Sequence, residues 1–350
     1  MKDTDKQNFA PGHFGRFVRE ARYYEAKEGK VHCLLCPHNC VLKETERGRC
    51  RTREVRDGKL YIMAYGNACS VCTDPVEKKP LNHFLPGTGI LSIATGGCNL
   101  RCPTCQNAEI SQARPEDVAG YDLPPEKVVS FAVSYQVPSI AYTYTDPLAY
   151  YEYAYDTAVL AREAGIKNVL VTAGYFNQEP LKDICRYIDA AHVDLKAFND
   201  EYYRQMPKIR LKPVLDTIEK MKSLGVWVEL IHLMVPTYTD DIKEISEMCK
   251  WIVNTVGAET PIHFSRFHPA YQLLHLPVTP EQSLRAAYQV AKEVGLHYVY
   301  VGNINTDYGQ NTCCPQCQGL LIRRQGYSIL ENNLRNGCCP CGKKIAGIWM

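Results

Sequence analysis

Between residues 90 and 302, seven short apolar and β-branched runs alternate with longer stretches of helical periodicity, and this alternation limits the fold more than any other feature. Residues 90–95, 139–144, 167–172, 191–196, 226–233, 261–266 and 296–301 are the predicted strands. Residues 125–136, 148–164, 181–190, 214–224, 242–256 and 280–294 are the predicted helices. Strands joined by helix-length connections pair in parallel, so the expected class is α/β, a partial barrel of six or seven βα units. Polar groups that follow the strands would then share one rim. They are GGCNLRC, TDP and AGY after the first three strands, DLK ending the fourth, and SRFHP and GNIN after the last two. Gly, Pro and Asp also mark ordinary turns, a reading that suits any one of these sites better than all of them together.

The chain has 350 residues, 45% of them hydrophobic, enough for one barrel-sized domain with small appendages. The expected division is a Cys-rich amino-terminal extension at 1–85, a barrel at 86–305 and a metal-binding ribbon at 306–350. A net charge of +2 from 40 basic and 38 acidic residues gives no basic field, so nucleic acid is not an expected partner. No apolar run approaches the roughly 20 residues that span a bilayer. The start MKDTDKQNFAPGHFGRFVREARYYEAKEG lacks the apolar segment of a secretory signal, so no membrane association and a cytoplasmic location are expected.

Seventeen cysteines are the chain's compositional anomaly, and most of them cluster. In a reducing compartment thiols two or three residues apart converge on metals rather than form disulfides. In GGCNLRCPTCQN, Cys98, Cys102 and Cys105 sit on a short loop after a buried strand. Three thiolates there can hold three irons of a cubane and leave the fourth open, whereas a structural zinc site closes itself with a fourth protein ligand. CCPQC and CCPC place Cys314 and Cys317 opposite Cys338 and Cys341, the spacing of a ribbon that holds zinc as a staple or a rubredoxin-like iron, with Cys313 and Cys339 as spares. Cys33, Cys36, Cys40 and Cys50 form another four-thiolate set, for zinc or an auxiliary cluster, beside which His38 is an alternative ligand. Cys185 and Cys249, alone in helical patterns, read as buried apolar side chains. The pair Cys69 and Cys72 has no assigned role.

GCNLRCPTCQNAEIS, DPVEKKPLNHFLPGTG, VTAGYFNQEPL, VDLKAF, SRFHP and VYVGNIN together resemble the radical S-adenosylmethionine (SAM) superfamily, and within it the AmmeMemoRadiSam system enzymes related to pyruvate formate-lyase activating enzymes. The resemblance covers nearly the whole chain. It implies a 4Fe-4S cluster on Cys98, Cys102 and Cys105 whose open iron chelates SAM and cleaves it, after reduction, to a 5'-deoxyadenosyl radical. That radical would take hydrogen from a small molecule or from a glycine of a partner protein. Carried over position by position, Thr145 and Asp146 would meet the SAM amino group, and Thr172, Gly174 and Tyr175 its methionine or ribose. Asp194 and Lys196 would form a polar pair reaching SAM, and Asn303 would approach the adenine. A reductant such as flavodoxin or ferredoxin is implied, and Memo-like and AMMECR-like proteins are implied partners. Three positions depart from the family's usual pattern. Thr104 replaces an aromatic residue before the third cysteine, Thr145-Asp146-Pro147 stands for Asn-Glu-Pro, and Ala173 for an Asn.

For the substrate side, His232, His263, Arg266 and His268 are candidates, because alternate residues of an inner strand point inward. Arg266 suits a carboxylate or phosphate, or else pairs internally with Glu229. The competing class is a non-catalytic multi-centre electron carrier or metal scaffold, which suits the Cys-rich ends but has no use for an open three-cysteine site.

Overall fold

The computed structural model describes residues 15–350; residues 1–14, part of the amino-terminal stretch read above as signal-free, lie outside the described residues. An eight-stranded sheet carries the molecule. Its strands are β1 (Ser70–Pro75), β2 (Gly89–Ala94), β3 (Ser139–Tyr142), β4 (Lys167–Thr172), β5 (Ala190–Asp194), β6 (Trp227–Met234), β7 (Ile262–Arg266) and β8 (Val299–Gly302). Spatial order follows chain order, and every pair from β2 to β8 is parallel. The connections carry α1 (Pro125–Ser134), α2 (Tyr151–Glu163), α3 (Gln178–Ile184), α4 (Leu211–Ser223), α5 (Ile242–Trp251) and α6 (Glu281–Val294). Strands such as β3 are buried at every position, which is why they read as continuous apolar runs rather than alternating ones.

The seven predicted strands are present as β2–β8, within a few residues of their expected bounds. β1 is an addition: SVCTDP pairs antiparallel with β2, Cys72 opposite Ser92. The sheet therefore begins at Ser70, and the division expected near residue 85 falls inside it. The third helix starts earlier than expected because Pro180 needs no N–H partner in a first turn. The fifth ends in a widened turn at Ile252–Val256, where Gly257 takes φ 105°.

Before the sheet, Tyr24–Lys27, Lys30–Cys33 and Val41–Leu42 form one three-stranded sheet and Arg19–Glu20, Arg53–Arg56 and Lys59–Ile62 another. Leu35, Val55 and Leu60 from this segment are buried in the same apolar core as Ile93 and Tyr142. After the large sheet, Thr312–Cys313, Leu320–Gln325 and Ser328–Asn332 make a further three-stranded sheet, whose Leu321 and Ile322 pack with Tyr298 and Tyr300 at β8.

One buried carboxylate ties the approach to β2 onto the sheet. Glu229 of β6 accepts hydrogen bonds from the backbone N–H of Asn82 (3.0 Å) and His83 (2.8 Å), from Trp227 Nε1 (3.1 Å) and from His263 Nε2 (2.8 Å). Burial alone would raise its pKa, but His263 and these N–H groups bring it down to about 2 from 4.5. A carboxyl depressed in the folded state stabilises the fold above the unfolded pKa, and that stability is lost as pH falls. Glu229→Gln is therefore expected to cost about 3 kcal/mol at neutral pH. The native protein should lose this increment between pH 4.5 and about 2, and the variant should not. Urea denaturation across that range checks this; parallel pH profiles for the two proteins would contradict it.

Candidate active site and metal centres

The carboxyl ends of the parallel strands surround a cavity of about 1020 Å³. Parallel strands all present the same end, so the loops after them meet there. Cys98, Cys102 and Cys105 line it from the loop after β2, together with Thr145, Asp146, Thr172, Asp194, Lys196, His263 and Asn303.

The cysteine loop is held by a close backbone approach. Gly97 has φ 98°, and a Cβ there would lie 2.4 Å from Thr52 Cγ2 and 2.7 Å from the Cys50 carbonyl oxygen. Only glycine fits. Beyond it the Cys98 sulfur accepts from the Leu100 N–H at 3.4 Å, and the Cys105 N–H turns back to the Cys102 carbonyl at 3.2 Å. Burial pushes the Cys98 thiol up, and pushes Cys102 up to about 11 although the Lys196 ammonium pulls the other way. Such thiols give up their protons to a metal rather than to water. Three soft donors on one loop, with a backbone N–H on the first sulfur and Lys196 beside the second, fit an iron–sulfur cluster, and the cavity leaves room for a ligand that is not protein.

Opposite the loop, β5 supplies a charged chain. Lys196 Nζ lies 2.7 Å from Asp194, whose other oxygen is 3.0 Å from His192 Nε2, and His192 Nδ1 is 2.7 Å from the Lys79 carbonyl oxygen. Burial would raise the Asp194 pKa, but Lys196 and His192 hold it far below the usual carboxylate range. Burial likewise opposes the charge on Lys196, which Asp194 and the Cys102 sulfur sustain. Asp146 is engaged differently: it accepts from the Ala173 N–H (2.8 Å), the Leu148 N–H (3.1 Å) and the Thr172 hydroxyl (2.9 Å). Burial outweighs these donors and raises its pKa. The Thr145 hydroxyl donates to the Thr95 carbonyl at 3.0 Å. Asn303 donates to Ser265 Oγ at 2.8 Å and to the Arg266 carbonyl.

Gly174 and Tyr175 are not in the cavity wall. Gly174 packs against Val193 and Val214, and Tyr175 lies edge-on to His38 with ring centroids 5.1 Å apart. Of the four substrate candidates, His263 alone lines the cavity. His232 places its two ring nitrogens 3.0 Å and 2.8 Å from the carbonyls of Leu195 and Thr239. Arg266 donates to the Thr279 carbonyl at 2.8 Å rather than to Glu229, and His268 is exposed, 3.4 Å from the Asn303 carbonyl.

A polar group at the cavity edge was not anticipated. Tyr144, at φ 65°, places its hydroxyl 2.6 Å from Asp74, 2.8 Å from the Cys72 sulfur and 3.1 Å from Lys79 Nζ, while Lys79 and Asp74 pair at 2.6 Å. Its sequence signals are the tyrosine just ahead of TDP and the buried lysine in DPVEKKP.

At the carboxyl end, the sulfurs of Cys314, Cys317, Cys339 and Cys341 all lie within 4.8 Å of one another. This corrects the expected set, since Cys339 takes the place of Cys338. Cys338 is held in backbone bridges to Arg335 and Lys344, and its neighbour turns inward, where Cys339 Sγ accepts the Cys341 N–H at 3.4 Å. At the amino end, Cys33, Cys36, Cys40 and Cys50 line one small pocket with His38.

Residues 92–251 match the family model described as the Radical SAM superfamily. The "uncharacterized protein MJ0808" of Methanocaldococcus jannaschii is 46% identical over 332 residues, which is 94% of this chain and 99% of that one. The chain belongs to the radical SAM superfamily. The pyruvate formate-lyase-activating enzyme of Clostridium pasteurianum is 26% identical over 180 residues, 50% of this radical SAM protein and 75% of that enzyme. A solved domain of a pyruvate-formate lyase-activating enzyme from Bacteroides vulgatus is 15% identical, covering 47% of this chain and 98% of its own, with a TM-score of 0.42. Membership implies a 4Fe-4S cluster and SAM as cofactors, and the three-cysteine loop at the cavity has donors that fit such a cluster.

The carboxyl-terminal sulfurs make a test of their own. Metal analysis should find one tightly bound ion in a Cys338→Ser variant and none at that site in Cys339→Ser. Loss in the first and retention in the second would contradict the inward turn of Cys339.

Proposed function

We propose that this radical SAM enzyme abstracts hydrogen from a substrate seated in the cavity beside SAM, the substrate being a small molecule or a glycine of a partner protein. The observation that carries this is the three-thiol loop opening on a cavity of about 1020 Å³, large enough for SAM and a second molecule. When bound and reduced, the cluster with SAM supplies a 5'-deoxyadenosyl radical. An electron carrier or metal scaffold has no use for such a cavity.

The chain's own groups then divide into those that face the ligands and those that brace the walls. The Asp194–Lys196 pair offers a carboxylate and an ammonium on one strand end, which suits the charged methionyl end of SAM. Thr145 and Asp146 have their side chains engaged by neighbours, so they act as the floor that fixes the loop after β3 rather than as direct contacts. Asn303 borders the opposite side, where an adenine would lie. Burial lowers the His263 pKa, and its ring stacks against Tyr300 at the cavity wall, a surface offered to the substrate. A low-potential reductant such as flavodoxin or ferredoxin supplies the electron, Memo-like or AMMECR-like proteins are candidate partners, and the setting is cytoplasmic. The carboxyl-terminal thiolates hold zinc as a staple. We further read the chain as an extension through residue 69, the sheet to about 305, and a ribbon at 306–350. Among the described residues no helix is long and apolar enough to cross a membrane.

Anaerobic reconstitution, reduction and addition of SAM should yield 5'-deoxyadenosine with the intact chain and none with the Cys98→Ala/Cys102→Ala/Cys105→Ala protein. Lys196→Met should lower the yield at fixed SAM by raising the SAM concentration required, on the order of 10-fold for one lost charged hydrogen bond. A fully clustered native protein that forms no 5'-deoxyadenosine would overturn the proposal.

A further inference from the structure

We infer that Cys33, Cys36, Cys40 and Cys50 hold a second iron–sulfur cluster, a four-iron cubane closed by four protein thiolates and packed against the loop of Cys98. The four cysteines come from one compact segment. Cys33 ends the strand Lys30–Cys33 and donates its N–H to the Cys40 carbonyl at 2.9 Å, a turn at Cys36 and Asn39 joins them, and Cys50 returns after the next loop. All four line the same pocket.

Sulfur spacing separates a cluster from a single ion. Zinc at about 2.3 Å from each of four sulfurs brings them within about 4 Å of one another. The carboxyl-terminal set meets this condition, its sulfurs lying 3.7 Å (Cys314 to Cys341) and 3.6 Å (Cys317 to Cys339) apart. Among the described residues, that set is the one group of three or more candidate ligands gathered within 4.8 Å. The amino-terminal four stand wider, as do Cys98, Cys102 and Cys105, the cysteines that family membership assigns to a cubane. In a cubane each thiolate binds a different iron, so the sulfurs ring the core instead of touching.

The surroundings supply what a buried anionic cluster needs. Thr52 Oγ1 donates to the Cys50 sulfur at 3.1 Å, and Arg53, 1% exposed, reaches the Cys33 sulfur at 3.7 Å while pairing with Glu152. Asn99, 2% exposed, lines the pocket, and its Nδ2 is a buried donor without a partner. An inorganic sulfide or a thiolate is the acceptor it lacks. His38 turns Nε2 to the Asn99 carbonyl at 2.9 Å, which ties the pocket wall to the residue that follows Cys98. The same Asn99 follows Cys98 directly, and Cys50 meets Gly97 backbone to backbone, so the two cysteine sites share a wall.

Iron and acid-labile sulfide counted in the anaerobically reconstituted Cys98→Ala/Cys102→Ala/Cys105→Ala protein test this without any SAM chemistry. About four irons and four sulfides per chain should remain. A further Cys36→Ala/Cys40→Ala change should remove them. Should the five-fold variant fail to fold, Mössbauer spectra of the triad variant still decide, through the presence or absence of a cubane. Zinc in place of iron, or iron without labile sulfide, would overturn the inference, whatever the outcome of the 5'-deoxyadenosine assay.

Discussion

The rim of this protein depends on the backbone contact at Gly97. A loop that carries three cysteines has to leave the end of β2 and turn at once, and it does so with φ 98° against the Cys50 carbonyl and Thr52. Any Cβ would push the loop off that wall. The contact makes the amino-terminal segment part of the site rather than an appendage, because the surface that shapes the Cys98 loop is also the surface that carries Cys50. The shared apolar core points the same way, since Leu35, Val55 and Leu60 are buried with residues of the large sheet.

A second constraint is charge kept in a dry place. Glu229, Lys79 and Asp74 are buried, Lys196 and Asp194 are partly buried, and each is paired or hydrogen-bonded. Buried charges that lose a partner are strongly destabilising, whereas satisfied ones hold a single geometry. They lie at three places. Asp194 with Lys196 faces the cysteine loop, Asp74 with Lys79 sits beside Tyr144 at the cavity edge, and Glu229 braces the chain that leads into β2. The first two thus condition the cavity while the third fixes the strand from which the cysteine loop springs.

Much of this was legible in the sequence. Strands buried on both faces announce themselves as apolar runs, and cysteine spacing after a strand locates the loop. What stayed hidden has physical reasons. β1 is a polar edge strand, SVCTDP, with no periodic signature. In β6, Ile231 and Leu233 line the cavity and His232 therefore faces away; in β7, His263 and Ser265 line it and Arg266 does not. A one-residue offset in a strand reverses the face, and sequence alone did not fix which alternate set points inward. Adjacent cysteines pose the same problem, since spacing cannot say which of Cys338 and Cys339 the local turn directs toward the other three sulfurs. Thr145 and Asp146 were legible as rim residues, but the donors that engage them come from Ala173, Leu148 and Thr172, contacts that exist only once the strands are side by side.

The central claim is that the Cys98, Cys102 and Cys105 cluster has an open corner facing the cavity. Electron paramagnetic resonance of the reduced protein, recorded before and after SAM is added, tests it most directly. One component of the spectrum should change with SAM and be missing from the triad variant. A native spectrum with a full cluster complement that stays the same at saturating SAM would contradict the claim.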